Sequence, residues 1–206
     1  MRDFVLATTA ALAFPACGLL SPQTDTTRFA VLASVDDLPG GTAASTPGTN
    51  PPASLGVGPV TLPEYLRRSE LVSRGEGTRI VLSEDERWAE PLDRAIERVL
   101  AIDLVRATGA GRVVHHPWYA SDRPDVQVEI AFSRFEREES GNIVVAAAWS
   151  VRDLAGGAPP IARETRIERA TEGSDGASTA LALSRALAEL CAEIAGARGA
   201  SADEPR

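Results

Sequence analysis

Lysine is missing from this 206-residue chain: all 21 basic side chains are arginine, set against 29 carboxylates for a net charge of −8. The arginines are scattered, so the chain lacks the basic patch that nucleic-acid binding requires and the polybasic run that reads anionic lipid. Histidine is almost absent. His115 and His116 are adjacent, and neighbours on extended chain point to opposite faces, so they do not chelate one ion. With no second Cys/His cluster, neither a metal site nor a cofactor is expected. No G-x-S-x-G elbow occurs, and "GGT" and "GVG" lack the lysine and helix entry of a phosphate-binding loop. Glu84, Asp85, Glu86 and Glu90 crowd what reads as a helix start. Negative charge suits the helix dipole there, whereas glycosidase carboxylates face each other across a cleft. The chain is therefore expected not to be an enzyme.

Aromatics are few, and no apolar run reaches the roughly 20 residues needed to span a bilayer. The longest candidate, "FVLATTAALAF", is about 11 residues, within the roughly 7–15 of a signal h-region. The small residue Ala16 stands before Cys17 in "LAFPACGLL". This resembles a bacterial lipoprotein signal, cleaved so that Cys17 becomes an acylated N-terminus. Phe14 stands where leucine is usual, and Pro15 is atypical. An ordinary secretory peptide cut nearby, or a start codon placed too early, are the alternatives. The other cysteine, Cys191, leaves a buried pair or a single disulfide open. It shares helical spacing with Ala180, Leu183, Leu187, Leu190 and Ile194, and so reads as a core thiol.

What is present suits one domain with a real core. Residues 1–16 read as the signal, 17–26 as a tether, 27–196 as the domain and 197–206 as a disordered tail. Within the domain, residues 36–54 are rich in Gly, Pro, Ser and Thr and predict a flexible loop. Strands are predicted at "RFAVLAS", at residues 55–60 and at "TRIVLS". Ser83 and Glu86 form an S-x-x-E capping box that predicts a first helical turn. Pro91 then starts the main helix over residues 91–107, with Leu92, Ala95, Ile96, Val99 and Ile102 as its apolar stripe. "GRVVHHPW", "DVQVEIAFSRF", "IVVAAAWSVRD" and "RETRIER" supply four further strands, the second alternating apolar with polar and the third setting Ile143, Val145, Ala147, Trp149 and Val151 on one face. A last helix covers residues 178–195. The pattern predicts an α+β two-layer sandwich, a mostly antiparallel sheet with two amphipathic helices packed on one face.

Two clusters stand out. "TLPEYL" carries Leu62, Pro63, Glu64, Tyr65 and Leu66; "RWAEPL" carries Arg87, Trp88, Ala89, Glu90, Pro91 and Leu92. Trp88 reads either as a core anchor over the sheet or as a surface aromatic beside Arg87, a pairing enriched at interfaces. With "PWY", "VQVEIAFSRFE" and "AAAWSVRD", these stretches resemble the ABC-type transport auxiliary lipoprotein family, the PqiC-like group of the paraquat-inducible system, over residues 55–194. The resemblance implies a non-enzymatic lipoprotein, lipidated at Cys17 and held in the outer membrane facing the periplasm. It further implies docking to a mammalian-cell-entry (MCE) domain protein of a lipid transport system, assembly as a homo-oligomeric ring, and a role in envelope integrity. The two motifs are its possible interface, with no catalytic role. A periplasmic carrier of lipid or another small molecule, which would need an apolar cavity of roughly 300–1,000 Å³, is the alternative.

Overall fold

The computed structural model describes residues 25–40, 51–156 and 159–202. Eight strands form a single sheet in chain order: β1 (Arg28–Ala30), β2 (Ser54–Thr61), β3 (Glu70–Arg74), β4 (Ile80–Trp88), β5 (Arg112–His115), β6 (Val126–Glu138), β7 (Asn142–Asp153) and β8 (Ile161–Ala170). Helix α1 (Leu92–Thr108) follows β4, and α2 (Gly176–Ala202) closes the fold. The architecture is α+β: a curled sheet with both helices packed on it. The antiparallel expectation holds in the β6–β7–β8 meander and at β3–β4. Elsewhere β1–β4, β2–β5, β2–β6 and β3–β6 run parallel.

β6 organises the sheet. One edge pairs with β7 along most of its length. The other is shared: β2 takes residues 126–131, and β3 takes Arg137 and Glu138. The sheet therefore forks on β6. A register shift between Phe132 and Arg134 puts one extra residue into the strand at this point. Because side chains alternate with period two, such a bulge swaps the faces of everything beyond it. Phe135 joins the core beside Val145, and Glu136 falls opposite Val144 on the other face.

The helices follow their apolar stripes. Leu92, Ala95, Ile96, Val99, Leu100 and Leu104 of α1 are buried, as are Ala180, Leu183, Leu187, Leu190, Cys191 and Ile194 of α2. Cys191 is a free thiol, and burial pushes its pKa up. α1 ends at Gly109, whose φ of 72° is the left-handed value that closes a helix, and its N–H returns to Val105 O at 2.8 Å. Pro91 precedes the first helical residue as the N-cap.

Four expectations need correction. Ile102 is not in the α1 stripe: it is 39% exposed, and Asp103 is buried in its place. A step of four residues from Val99 and Leu100 lands on Asp103 and Leu104. β3 was not expected at all, because a five-residue strand shows too little alternation. The capping box is not a helix start, since residues 83–86 lie inside β4. Finally, α2 runs seven residues beyond the predicted end at residue 195, so the expected tail is helical as far as Ala202. The loop expected at residues 36–54 begins as a 3-10 turn at Val35–Asp37 and ends at β2, with residues 41–50 outside the described chain.

Candidate functional site

The "TLPEYL" motif closes β2 and covers the fork. Leu62 and Leu66 are buried, Pro63 is intermediate and Glu64 is exposed. Tyr65 sits on a 3-10 turn (Glu64–Leu66) and donates its hydroxyl to Glu136 Oε2 at 2.8 Å. Arg74 of β3 donates Nε to Glu136 Oε1 at 2.9 Å and Nη2 to the Tyr65 oxygen at 3.1 Å. Arg134 adds a second guanidinium, Nε to Oε1 at 2.7 Å. Glu136 is wholly buried. Burial pushes its carboxyl up, but Arg134, Arg74, the Phe135 N–H and Tyr65 outweigh it and hold the group below its ordinary value. The Tyr65 hydroxyl is raised by burial and by its bond to Glu136, against the pull of Arg74. Four side chains thus lock β2, β3 and β6 together where the sheet divides.

"RWAEPL" works at a second irregularity. The pairings Val72–Leu82 and Glu70–Arg87 leave residues 83–86 of β4 opposite a single β3 residue, a wide bulge with unpaired carbonyls. Arg87 satisfies them: Nη1 donates to Ser83 O at 2.8 Å and Glu86 O at 3.0 Å, and Nη2 donates to Glu84 O at 3.0 Å. Trp88 is 6% exposed and lies in the core. Its N–H bonds Ser69 O at 2.7 Å, while that of Ala89 bonds Ala30 O at 3.0 Å. Glu90 pairs with Arg98 at 2.6 Å, and Pro91 caps α1. The S-x-x-E bond does form, Glu86 N–H to Ser83 Oγ at 3.1 Å, but within the bulge. The Glu86 carboxylate reaches elsewhere, accepting the Gly176 N–H at 2.7 Å to cap α2. Asp85 holds Arg28 of β1 at 2.6 Å.

The two motifs are therefore brought into one sheet but not into one cluster. Cys17 lies outside the described residues. His115 faces Glu97 at 3.5 Å, and His116 packs edge-on to Trp118. Trp118, of "PWY", lies over Gly56 of β2, where a Cβ would come within 2.4 Å of Pro124 Cγ and 2.9 Å of the indole. A surface groove of about 700 Å³ runs along α1, floored by Ala101, Ile102, Val105 and Val113 and rimmed by charged side chains. No cluster of three His, Cys, Asp or Glu suited to a metal occurs among the described residues.

Sequence reasoning missed Arg74, Arg134 and Glu136, although an arginine-flanked glutamate in "SRFERE" was visible. Only the bulge makes that glutamate face the tyrosine.

These features define a small α+β domain whose motif side chains serve its own architecture. A model of the ABC-type transport auxiliary lipoprotein component matches residues 37–195, well over half of the chain, and the chain belongs to that family. No curated protein matches it. Among solved structures, an uncharacterized protein superposes with a TM-score of 0.61 at 21% identity, over 70% of this chain and 91% of that one. Protein XCC0632 from Xanthomonas campestris, of the DUF330 family, gives 0.62 at 16% identity over 85% and 97%. Both share the fold. A PelC dodecamer from Paraburkholderia phytofirmans aligns with a TM-score of only 0.42, at 17% identity over 73% and 91%, too distant to bear on how this chain assembles.

Proposed function

We propose that this transport-associated lipoprotein is anchored in the outer membrane through acylated Cys17, faces the periplasm, and docks an MCE-domain protein of a lipid transport system as a homo-oligomeric ring. The observation that carries this reading is family membership over residues 37–195, joined to the lipoprotein-like stretch that ends at Cys17. One acyl chain binds a membrane only marginally, whereas the several chains of a mature bacterial lipoprotein hold a domain without a spanning helix. The placement of the motifs supports a scaffold: Arg74, Glu136, Tyr65 and Arg87 are engaged within the fold, which leaves a rigid body able to present a surface. Glu64 of the first motif and Arg67 and Arg68 just after it are exposed on the β2–β3 connection, where a partner can reach them.

Two measurements test this. Cys17→Ser should leave the protein unacylated and out of the membrane fraction. Cross-linking in cells followed by capture of the full-length protein should recover the MCE-domain protein, and failure to recover it while it is expressed refutes the docking. A carrier role is the second reading, favoured by the apolar floor of the α1 groove. Native mass spectrometry finding no co-purified lipid would remove it.

A further inference from the structure

One charged residue interrupts the buried stripe of α1: Asp103, which is 2% exposed. A buried carboxylate is costly unless bonded. Its Oδ1 accepts the Val35 N–H at 2.8 Å, while Oδ2 has no hydrogen-bond partner. Val35 belongs to residues 31–38, a strap that leaves β1 and crosses both helices without joining a strand ladder. Side chains hold it instead. Ser184 Oγ of α2 accepts the Ala33 N–H at 3.0 Å, and Arg98 of α1 donates to Leu32 O at 3.1 Å. Leu32, Ser34 and Leu38 are buried beneath it.

The groups that bear on Asp103 are Asp36 and Asp37 of the strap and Cys191 of α2. The thiol is kept protonated by burial and adds no charge. Arg106, three residues along α1, is engaged by Asp36 at 3.2 Å. The carboxylate thus faces two like charges and has no cation of its own.

We propose that Asp103 is a proton-controlled latch: its neutral form fastens the strap to the two helices, and its ionised form loosens it. Burial pushes the carboxyl from 3.8 to about 6; the Val35 N–H pulls it down, and Asp36 and Asp37 push it up again. Releasing the strap exposes Asp103 and returns it toward 3.8, so the open form binds fewer protons. Opening then grows as pH rises through 3.8 to about 6 and levels off above. Between pH 5 and pH 8 the opening equilibrium increases about tenfold. On its N-terminal side the strap is fixed by β1, which pairs with β4 through residues 28–30, so the latch acts on residues 31–38 and on their hold on the two helices. It is a property of the fold and stands whether or not Cys17 carries lipid.

The test is hydrogen–deuterium exchange on the full-length protein at pH 5 and pH 8, corrected for intrinsic exchange, with β6 and β7 as internal reference. Amides of residues 31–38 should open about tenfold more at pH 8 than at pH 5. Asp103→Asn should bring that ratio close to one. Ser184→Ala, which removes the hold on Ala33, should raise opening at both pH values and keep the ratio. A wild-type ratio near one, or a tenfold ratio surviving in Asp103→Asn, overturns the latch. If Asp103→Asn does not fold, the double variant Asp36→Asn, Asp37→Asn is read in its place. It should shrink the ratio, and an unchanged ratio refutes the proposal.

Discussion

Tyr65 and Glu136, 71 residues apart in the chain, meet at 2.8 Å where β6 passes its edge from β2 to β3. The bond explains the tyrosine in the "TLPEYL" motif. A forked sheet leaves a gap between diverging strands, and a polar group facing such a gap must be paired or it destabilises the fold. Here one carboxylate collects two guanidinium groups, a phenol and a backbone N–H.

Tyr65→Phe keeps the ring and deletes the hydroxyl. Loss of a hydrogen bond to a charged group should cost about 1.5–3 kcal/mol, read as a lower urea midpoint at unchanged slope. Its neighbour Glu64 is exposed, with only a long ion pair to Arg67 at 3.8 Å, and Glu64→Ala should leave that midpoint nearly unchanged. If instead Glu64→Ala weakens partner capture, the motif divides into a structural tyrosine and a docking glutamate.

The same carboxylate sets an acid limb. Its folded value lies below 4.5, so its stabilisation is fully present above 4.5 and is lost as pH falls through the lower folded value. Denaturation followed from pH 7 downward should show this loss. Glu136→Gln should flatten it, starting from a lower plateau because Arg74 then lacks its charge partner and Arg134 keeps only Glu138.

Trp88 distinguishes a core from an interface. At 6% exposed beside α1, it should behave as core: Trp88→Ala is expected to cost about 3–5 kcal/mol. Unchanged stability with lost partner binding would place its contribution at a surface.

Gly56 gives a sharper packing test. A methyl there meets Pro124 at 2.4 Å and Trp118 at 2.9 Å, and overpacking of this kind costs about 1–3 kcal/mol. Gly56→Ala should lower the thermal midpoint and shift tryptophan emission as Trp118 lifts from β2.

Periodicity located most of the fold. "VQVEIAF" alternates, "IVVAAAWSV" sets Ile143, Val145, Ala147, Trp149 and Val151 on one face, and each became a strand of the predicted type. Both helices also formed where spacing placed them. In "SEDERWAE", Ser83 and Glu86 carry the local signature of a helix start, and the residues make that local bond. The backbone nevertheless stayed extended, because residues 86–88 pair with β1 and residues 80–82 pair with β3. Non-local pairing overrode a local preference.

The sequence by itself determined which stretches could bury a face, because burial follows from side-chain spacing and spacing is local. It also identified the two motifs and the absence of lysine and of a nucleophile–base pairing. Tertiary structure alone decided what each polar residue bonds. Glu86 caps a helix 90 residues away, Glu136 is turned by one extra residue onto the face that meets Tyr65, and Asp103 rather than Ile102 enters the core. The physical reason is common to all three. A carboxylate's partner is set by which chain segments the core brings within 3 Å, and that distance is not written in the spacing of residues along the chain.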